Sequence, residues 1–171
     1  MLEVRSNKGA SLLPTWSYSL KFRDESKIAK AIMWDIPVHP KVMREVCSVL
    51  KDMKLSEAKE LLKRVTEKKE AIPFRRSHGK QAHRRGLADK WGWPVGRYPV
   101  KAAWYLLKLL NNVENNAEVK GLDLENLKII HIASHKGMTL ERWMPRAFGR
   151  ATPKFRVTSH VEVIVAEGEV Y

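Results

Sequence analysis

Two pairs of histidines are spaced closely enough to act together on a metal ion or a proton. His131 and His135 are four residues apart, and His78 and His83 are five residues apart. A zinc site would also need cysteine, aspartate or glutamate ligands nearby, and the sequence suggests none at a suitable spacing. Two histidines can instead serve as acid and base in RNA cleavage, but that chemistry needs a cleft. We therefore expect a structural or RNA-contacting role for both pairs, with RNA cleavage as the alternative.

Other catalytic motifs do not appear in the sequence. Residues 136–139, KGMT, hold one glycine and lack the spacing of a phosphate-binding loop, and no nucleophile motif of the G-x-S-x-G type occurs. Cys47 is the only cysteine, which excludes an internal disulfide and any site with paired thiolates. Its apolar neighbours predict that Cys47 is a small buried residue. We expect no enzymatic activity, no cofactor and no bound metal.

Arginine and aromatic residues are interleaved in two segments with little apolar periodicity. Residues 73–101 read PFRRSHGKQAHRRGLADKWGWPVGRYPVK and hold eight basic side chains and one acidic side chain. Residues 136–156 read KGMTLERWMPRAFGRATPKFR and hold six basic side chains and one acidic side chain. Guanidinium groups pair with phosphates and planar side chains stack on unpaired bases, so this composition favours RNA as the partner. Neither segment can fold a core alone, so each must be disordered or be ordered by docking on something.

The overall charge also predicts a polyanionic partner. The chain of 171 residues has a net charge of +13, from 32 basic and 19 acidic side chains. The charged surface of a hyperthermophilic protein would have lysine and glutamate in near balance. An anionic membrane surface and duplex DNA are the alternatives to RNA. The sequence has no signal peptide and no run of about 18 apolar residues, so we expect a soluble, cytoplasmic chain without a membrane span.

Apolar periodicity predicts that the first part of the chain forms one strand and two helices. Residues 27–36 alternate like a strand. The residues expected on one face of it are Ile28, Ile32, Trp34 and Ile36. A helix that begins at Pro40 follows, and Ser56 is expected to cap a second helix over residues 57–70.

A third helix and two longer strands follow the first basic segment. Pro99 is expected to start the helix and Gly121 to stop it. Its predicted buried stripe consists of Ala103, Trp104, Leu107, Leu110 and Val113. Residues 127–135 and 157–167 form the strands, which we expect to pair. The second basic segment connects them, and a β-ribbon extending from the body would project its arginines outward.

The second basic segment and the strand after it contain a long and specific motif. The run RWMPRAFGRATPKFRVTSHVEVIV resembles the signature of the large-subunit ribosomal protein L-twenty-two family, called L-seventeen in the eukaryotic ribosome. The match rests on Met144, Pro145, Arg146, Ala147, Gly149, Arg150, Ala151, Thr158, Ser159 and His160. Residues 71–86, AIPFRRSHGKQAHRRG, and 96–103, GRYPVKAA, look like the archaeal and eukaryotic form. The resemblance covers residues from about 27 to 167.

The resemblance implies an α+β fold in which three helices pack on a small three-stranded antiparallel sheet. Residues 27–171 would form one RNA-binding domain, after an N-terminal extension at 1–26 and with a basic insertion at 73–98. A long β-hairpin would protrude at about 128–166, with its tip near 138–152. In the family this hairpin lines the peptide exit tunnel. The resemblance thus implies a place at the tunnel tip for Arg142, Met144, Pro145, Arg146, Gly149 and Arg150.

The implied function is that of a structural constituent of the large ribosomal subunit, with a role in its assembly. The expected partners are large-subunit rRNA, neighbouring ribosomal proteins and the nascent peptide at the hairpin tip, and no homo-oligomer is expected. The side chains expected to bind rRNA come from the two basic segments. They are Arg75, Arg76, His78, Lys80, His83, Arg84, Arg85, Trp91, Trp93, Arg97, Lys136, Arg142, Trp143, Arg146, Arg150, Lys154 and Arg156.

Overall fold

Four helices and seven strands form the part of the chain that the computed structural model describes, which is residues 16–20, 22 and 25–168. In chain order they are β1 (Ile28–Ile36), α1 (Pro40–Leu50), α2 (Leu55–Thr66), β2 (Ile72–Pro73), α3 (Leu87–Trp91), β3 (Gly96–Arg97), α4 (Val100–Val119), β4 (Leu127–Leu140), β5 (Trp143–Pro145), β6 (Ala151–Pro153) and β7 (Arg156–Glu167). The predicted α+β class is confirmed. The expected N-terminal extension lies largely outside the described residues.

The central sheet has three antiparallel strands, with β7 between β1 and β4. Because β7 is central and covered on both sides, its residues 161–166 are buried on both faces, and Glu162 is the one charged residue among them. Val161, Val163 and Val165 face the helices. On the opposite face, Ile28 and Ile164 form a smaller buried cluster, against which apolar side chains from the N-terminal extension pack.

The first strand presents a different face to the helices than its sequence predicts. Ala29 and Ala31 pack in the main core, whereas Ile28 belongs to the cluster on the opposite face. The predicted alternation fails at its end because the pairing of β1 with β7 is irregular between Met33 and Ile36. Asp35 has a positive φ of 45° at this irregularity, and Ile36 turns into the core beyond it. The strand itself is confirmed.

Helices α1 and α2 begin for different reasons. Pro40 occupies the first turn of α1, and Nδ1 of His39 accepts a hydrogen bond from the Lys41 N–H at its start. The prediction that Ser56 caps a helix over residues 57–70 is wrong at both ends, because the helix begins two residues earlier, with Lys54 as its cap, and ends at Thr66. Lys54 has extended dihedrals and bridges to Lys128 of β4, so pairing with the sheet sets the start of the helix.

The longest helix, α4, buries three of the five residues of its predicted stripe, Ala103, Leu110 and Val113, but not Trp104. Trp104 is 45% exposed, so its predicted place in the core is wrong. The fully buried positions centre on Leu106, Leu110 and Val113. Residues two apart lie on nearly opposite sides of a helix, so α4 cannot bury both Trp104 and Leu106. Gly121 ends the helix region with a positive φ of 71°, as expected.

Three features complete the fold around this body. The predicted three helices are present, and the basic insertion adds a fourth, the five-residue α3. The predicted hairpin is formed by β4 and β7, and it continues into the short ribbon of β5 and β6. Among the helices of the described residues, none has the length and hydropathy that crossing a membrane requires.

Candidate RNA interface

The basic insertion, residues 73–98, is ordered by packing on the protein's own body. Its first strand, β2, pairs with its last, β3, which closes the segment into a loop. Three apolar side chains of the insertion itself are buried, those of Phe74, Leu87 and Val95. The sequence allows this segment to be either disordered or ordered by docking on another surface. In the structure it docks on the protein's own body, and these three apolar side chains attach it.

A buried carboxylate holds the start of the insertion. Glu45 of α1 is 5% exposed, and its two oxygens accept hydrogen bonds from the backbone N–H groups of Arg75, Arg76 and Ser77 at 3.0, 3.1 and 2.9 Å. Three donors converging on one carboxylate fix the backbone there. The side chains of Arg75 and Arg76 are exposed at this fixed point. Sequence reasoning missed Glu45, although an acidic residue within the apolar face of α1 was a visible signal.

The cations of the insertion divide into structural and unpartnered side chains. The guanidinium of Arg75 donates to the Trp91 carbonyl at 2.8 Å, and Nε of Arg84 donates to the Gly96 carbonyl at 3.3 Å. By contrast, Arg76, Lys80 and Arg85 make no side-chain hydrogen bond or ion pair with any other described residue. All of these basic side chains, and Arg97 with them, are exposed. Arg97 likewise makes no side-chain hydrogen bond or ion pair with a described residue, so these four cations are free to bind an external anion.

Aromatic residues of the insertion mainly attach it to the body. The indole N–H of Trp93 donates to the Phe74 carbonyl at 2.9 Å, and the His78 ring lies 5.4 Å from the Trp93 ring. Trp91 is half-buried against the main core. His83 is exposed and bridges to Val95 through its backbone. Packing thus accounts for both tryptophans, and their stacking on RNA bases stays a prediction.

The second basic segment, residues 136–156, forms an arm that extends beyond the body, here called the hairpin arm. Every residue from 141 to 151 is exposed. Backbone hydrogen bonds from Lys154 N–H to the Arg142 carbonyl, at 2.6 Å, and from Arg146 N–H to the Arg150 carbonyl, at 2.8 Å, hold its two sides together. Phe148 and Gly149 have positive φ values of 59° and 65°, which reverse the chain at the tip.

The surface of the hairpin arm combines cations with exposed apolar groups. Trp143 is 61% exposed and Phe148 is 92% exposed, and the ring of Phe155 lies edge-on to Trp143, with centroids 5.7 Å apart. One acidic residue, Glu141, accompanies six exposed cations, which are Lys136, Arg142, Arg146, Arg150, Lys154 and Arg156. Backbone pairing keeps the ribbon together, but the side chains lack a packed environment of their own. Their composition suits an RNA surface, where phosphates meet cations and bases meet aromatic rings.

The Thr158–His160 part of the sequence motif fixes the arm to the body. A Cβ atom at Gly137 would lie 2.5 Å from Oγ1 of Thr158, so only glycine fits there. Oγ1 of Thr158 donates to Oδ1 of Asp35 at 2.9 Å, and the Asp35 N–H donates to Nδ1 of His160 at 3.0 Å. Oγ of Ser159 donates to the Val38 carbonyl at 3.0 Å. Sequence reasoning did not assign this contact role to the motif.

The histidines at 131 and 135 meet at a buried carboxylate, Glu162. Nε2 of His131 lies 2.9 Å and Nε2 of His135 lies 3.4 Å from Oε1 of Glu162. Trp16 and Ser19, from the N-terminal extension, also donate to this carboxylate. Burial raises the pKa of Glu162, but hydrogen bonds from Ser19, His131 and Trp16, with the His135 ring nearby, outweigh it and lower the pKa to about 2.

The Glu162 cluster has the character of a structural network. Its carboxylate is fully buried, and the ring of Trp16 lies 5.2 Å from the His135 ring and covers that side of the sheet. Within the ranges that the structure describes, no group of three or more histidine, cysteine, aspartate and glutamate side chains could hold a metal ion. The expected structural role therefore agrees with the position of His131 and His135.

Comparison with known proteins agrees with the sequence motif. Residues 31–166 match the family model described as Ribosomal protein L22p/L17e. The large ribosomal subunit protein uL22 of Aeropyrum pernix is 66% identical over 155 residues, which cover 91% of this chain and 99% of that protein. The protein of the same name from Staphylothermus marinus is 64% identical over 155 residues, with the same coverage. That from Methanopyrus kandleri is 47% identical over 154 residues, or 89% of this chain and 96% of that protein. With the family model matching most of the chain, and with archaeal proteins this similar to it, the chain belongs to the ribosomal protein L22p/L17e family in its archaeal form.

Proposed function

We propose that this chain is a structural constituent of the large ribosomal subunit in the cytoplasm, where it binds rRNA and supports assembly. Its relatives are named as proteins of that subunit. The observation that carries the proposal is the hairpin arm, whose exposed cations and aromatic rings have no packed environment among the described residues. Such a surface becomes ordered only when an anionic, base-rich partner surrounds it.

The two basic surfaces have different parts in the proposal. The basic insertion is fixed to the body by Glu45 and by buried apolar residues, so its free cations are presented in a preset arrangement. The hairpin arm is fixed only at its root, around Gly137 and Thr158. We infer that the insertion anchors the protein on rRNA, whereas the arm reaches between RNA segments and takes its final side-chain conformation from them.

Two matched triple variants test RNA binding. R76Q/K80Q/R85Q removes three free cations from the insertion, and R142Q/R146Q/R150Q removes three from the arm. If each cation neutralises one phosphate, the dependence of log affinity on log salt should flatten by about 2 to 3 in either variant. These slopes are obtained by measuring the affinity for protein-free large-subunit rRNA from an archaeal relative at KCl concentrations from about 50 to about 500 mM.

A third variant controls for general charge. K51Q/K54Q/K63Q removes three exposed lysines, which lie at the C-terminal end of α1, at the N-terminal cap of α2 and within α2. This variant should change the salt slope much less. Equal slopes for all three variants would contradict the proposal, because binding would then depend on total charge rather than on the two basic surfaces. Co-sedimentation of the wild-type chain with large subunits at moderate salt is the companion measurement.

The finer part of the proposal is that the tip of the arm lines the peptide exit tunnel. Cys47 is buried and its pKa is raised by burial to about 12, so it stays unreactive. An A147C variant therefore carries a single reactive thiol, at the tip, and S56C carries one on the exposed surface of α2. In ribosomes with a stalled nascent chain, a thiol-linked photoprobe should crosslink to the peptide from position 147 and not from position 56. If the probe at position 147 crosslinks to rRNA and never to the nascent peptide, the proposal that the tip lines the exit tunnel is wrong.

A further inference from the structure

Trp104 is a large apolar side chain on the outer surface of α4, outside both basic surfaces. It is 45% exposed, although α4 buries seven other residues in the core. The Tyr105 ring lies edge-on to it, with centroids 4.8 Å apart, and Nζ of Lys108 lies 3.8 Å from the ring centroid. The indole is thus held in place from two sides by its own helix while part of its surface is open to solvent.

The residues around Trp104 form a continuous line along the helix. Successive steps of three or four residues put them on one face, and every member is exposed. This line, here called the α4 stripe, consists of Lys101, Trp104, Lys108, Asn112 and Asn115. It contains no acidic residue and is about 21 Å long at 1.5 Å per residue. Within the described part of the chain, the side chains of Asn112 and Asn115 have no hydrogen-bond partner.

One acidic residue of α4 is paired with α2, and another lies at the C-terminal end of the stripe's own line. Glu114 forms an ion pair with Lys59 of α2, on the side of the helix that packs against the body. Glu118, three residues after Asn115, continues the same line at its C-terminal end, about 21 Å along the helix from Trp104. The α4 stripe thus presents two cations, one aromatic plane and two amides, and its one acidic neighbour lies at the end far from Trp104.

This chemistry fits single-stranded or bulged RNA better than a protein surface. Lysine is depleted in the buried centre of protein interfaces, whereas here two lysines flank the aromatic residue on both sides along the helix. Base stacking on an aromatic ring needs no particular sequence, and lysines reach the flanking phosphates. Free asparagine amides can bind base edges or ribose hydroxyls. The charge of the stripe is complementary to a phosphate backbone.

We propose that the α4 stripe is a third RNA-binding surface, on which an unpaired base stacks on Trp104 while Lys101 and Lys108 bind the adjoining phosphates. The inference rests on the proposed function, since it takes rRNA as the partner. It assigns that RNA a contact with the helical body that is separate from the insertion and from the hairpin arm. The long stem of Lys108 lets its ammonium move from the ring to a phosphate when a base arrives.

Three variants of the full chain test this proposal. W104L removes the aromatic plane and keeps an apolar side chain, whereas W104F keeps a smaller aromatic plane. Affinity for protein-free large-subunit rRNA from an archaeal relative should fall by about 5- to 100-fold in W104L and by less than about 3-fold in W104F. K101Q/K108Q should reduce the salt slope by about 1.5, and the control K51Q/K63Q should reduce it much less. Urea unfolding of each variant shows that the exposed substitutions leave the body folded.

The outcomes separate this inference from the proposed function. Wild-type affinity in W104L, or an unchanged salt slope in K101Q/K108Q, overturns the α4 stripe as an RNA surface. If R76Q/K80Q/R85Q still weakens binding in that case, rRNA binding by the insertion stands alone. If W104L binds protein-free rRNA normally but enters assembled subunits poorly, the stripe docks on a neighbouring protein and the inference is wrong.

Discussion

Two buried carboxylates show how single residues shape this protein without performing catalysis. Glu45 binds backbone N–H groups of the insertion, and Glu162 binds side chains from the N-terminal extension and from β4. In both sites the donors surround an acceptor that carries a full charge, which makes the hydrogen bonds stronger than neutral ones. Neither role was predicted, because the partners are distant in sequence and no local pattern connects them.

The stability of the chain should depend on the ionisation of Glu162. Its pKa is about 2 in the folded protein against an ordinary value of 4.5, so the ionised form stabilises the fold above about pH 4.5. That contribution should disappear as the pH falls through the interval from 4.5 to 2. We expect E162Q to unfold with a free energy about 1–3 kcal/mol lower than that of wild type at pH 7. Urea denaturation of both proteins from pH 7 to 2.5 should show the difference narrowing with acid. A constant difference would mean that the charge of Glu162 contributes nothing.

Removal of the Glu45 charge should loosen the start of the insertion. Hydrogen bonds to a charged acceptor contribute about 1.5–3 kcal/mol, so the amides of residues 75–77 should exchange about 10- to 100-fold faster in E45Q. Glu57, an exposed residue of α2, provides the matched control variant E57Q. Hydrogen exchange followed by mass spectrometry reports on both. Wild-type protection of residues 75–77 in E45Q would show that buried apolar residues alone fix this segment.

At the scale of elements, the basic insertion and the hairpin arm solve the same problem differently. Both carry charge that no core of their own can support. The insertion closes on itself through β2 and β3 and buries three apolar residues against the body. The hairpin arm is held only by its backbone ladder beyond its root. This contrast predicts different local stabilities for two segments of similar composition.

The closure of the insertion depends on a glycine. A Cβ atom at Gly96 would lie 2.6 Å from the Ile72 carbonyl oxygen and 2.5 Å from Cδ2 of Leu87. G96A should therefore lower the free energy of unfolding by about 1–3 kcal/mol, because the strand pair must separate to admit the methyl group. G79A is the control, since no atom lies within 4 Å of its new Cβ. Equal thermal stability of the two variants would contradict the tight contact at Gly96.

Limited proteolysis should distinguish the two segments in the free protein. We expect trypsin to cut first after Arg142, Arg146 or Arg150, where all residues are exposed and only a ribbon holds the chain. Cuts after Arg84 and Arg85 should come later, because Leu87 and Val95 bind that loop to the core. A time course analysed by mass spectrometry gives the order. First cuts within the insertion would show that its packing is weaker than its burial indicates.

Sequence patterns predicted the strands and helices well and the faces of those elements less well. Alternation identified β1 and β7, but the irregular pairing near Asp35 moved Ile36 to the other face of β1. Helical periodicity identified α4 and its buried residues Ala103, Leu110 and Val113, but it wrongly placed Trp104 in the core. Size and apolarity do not reveal which side of a helix meets the sheet, since that depends on elements far away in sequence. An exposed tryptophan on an otherwise regular helix was therefore beyond local reasoning.

For the whole molecule, membership of the L22p/L17e family confirms that the chain is a structural protein and not an enzyme. The motif in the hairpin arm was sufficient to predict the family and the α+β class. The folded state of the insertion was not predictable, because its burial requires Glu45 and the core of the body. The candidate RNA contacts could be predicted by residue type, but their division into structural and free cations required the structure.

The anchor and the arm should affect assembly differently. We expect R76Q/K80Q/R85Q to enter large subunits at clearly lower occupancy, because the preorganised surface of the insertion makes the first stable contacts. R142Q/R146Q/R150Q should enter at near wild-type occupancy and alter only the region around the tip. Quantitative mass spectrometry of gradient-purified subunits, with both variants expressed beside wild type, measures the two occupancies. The reverse order would mean that the arm is the anchor and the insertion is secondary.

The exposed tip of the hairpin arm also affects how much of this protein a cell can maintain without RNA bound to it. A chain without RNA carries Phe148 and Trp143 on its surface, where chaperones and proteases recognise apolar groups. Once the arm is surrounded by RNA, the same side chains are hidden and the copy is protected. Surplus copies should then be short-lived and docked copies long-lived. The arm would in this way match the supply of the protein to the number of RNA molecules available to receive it.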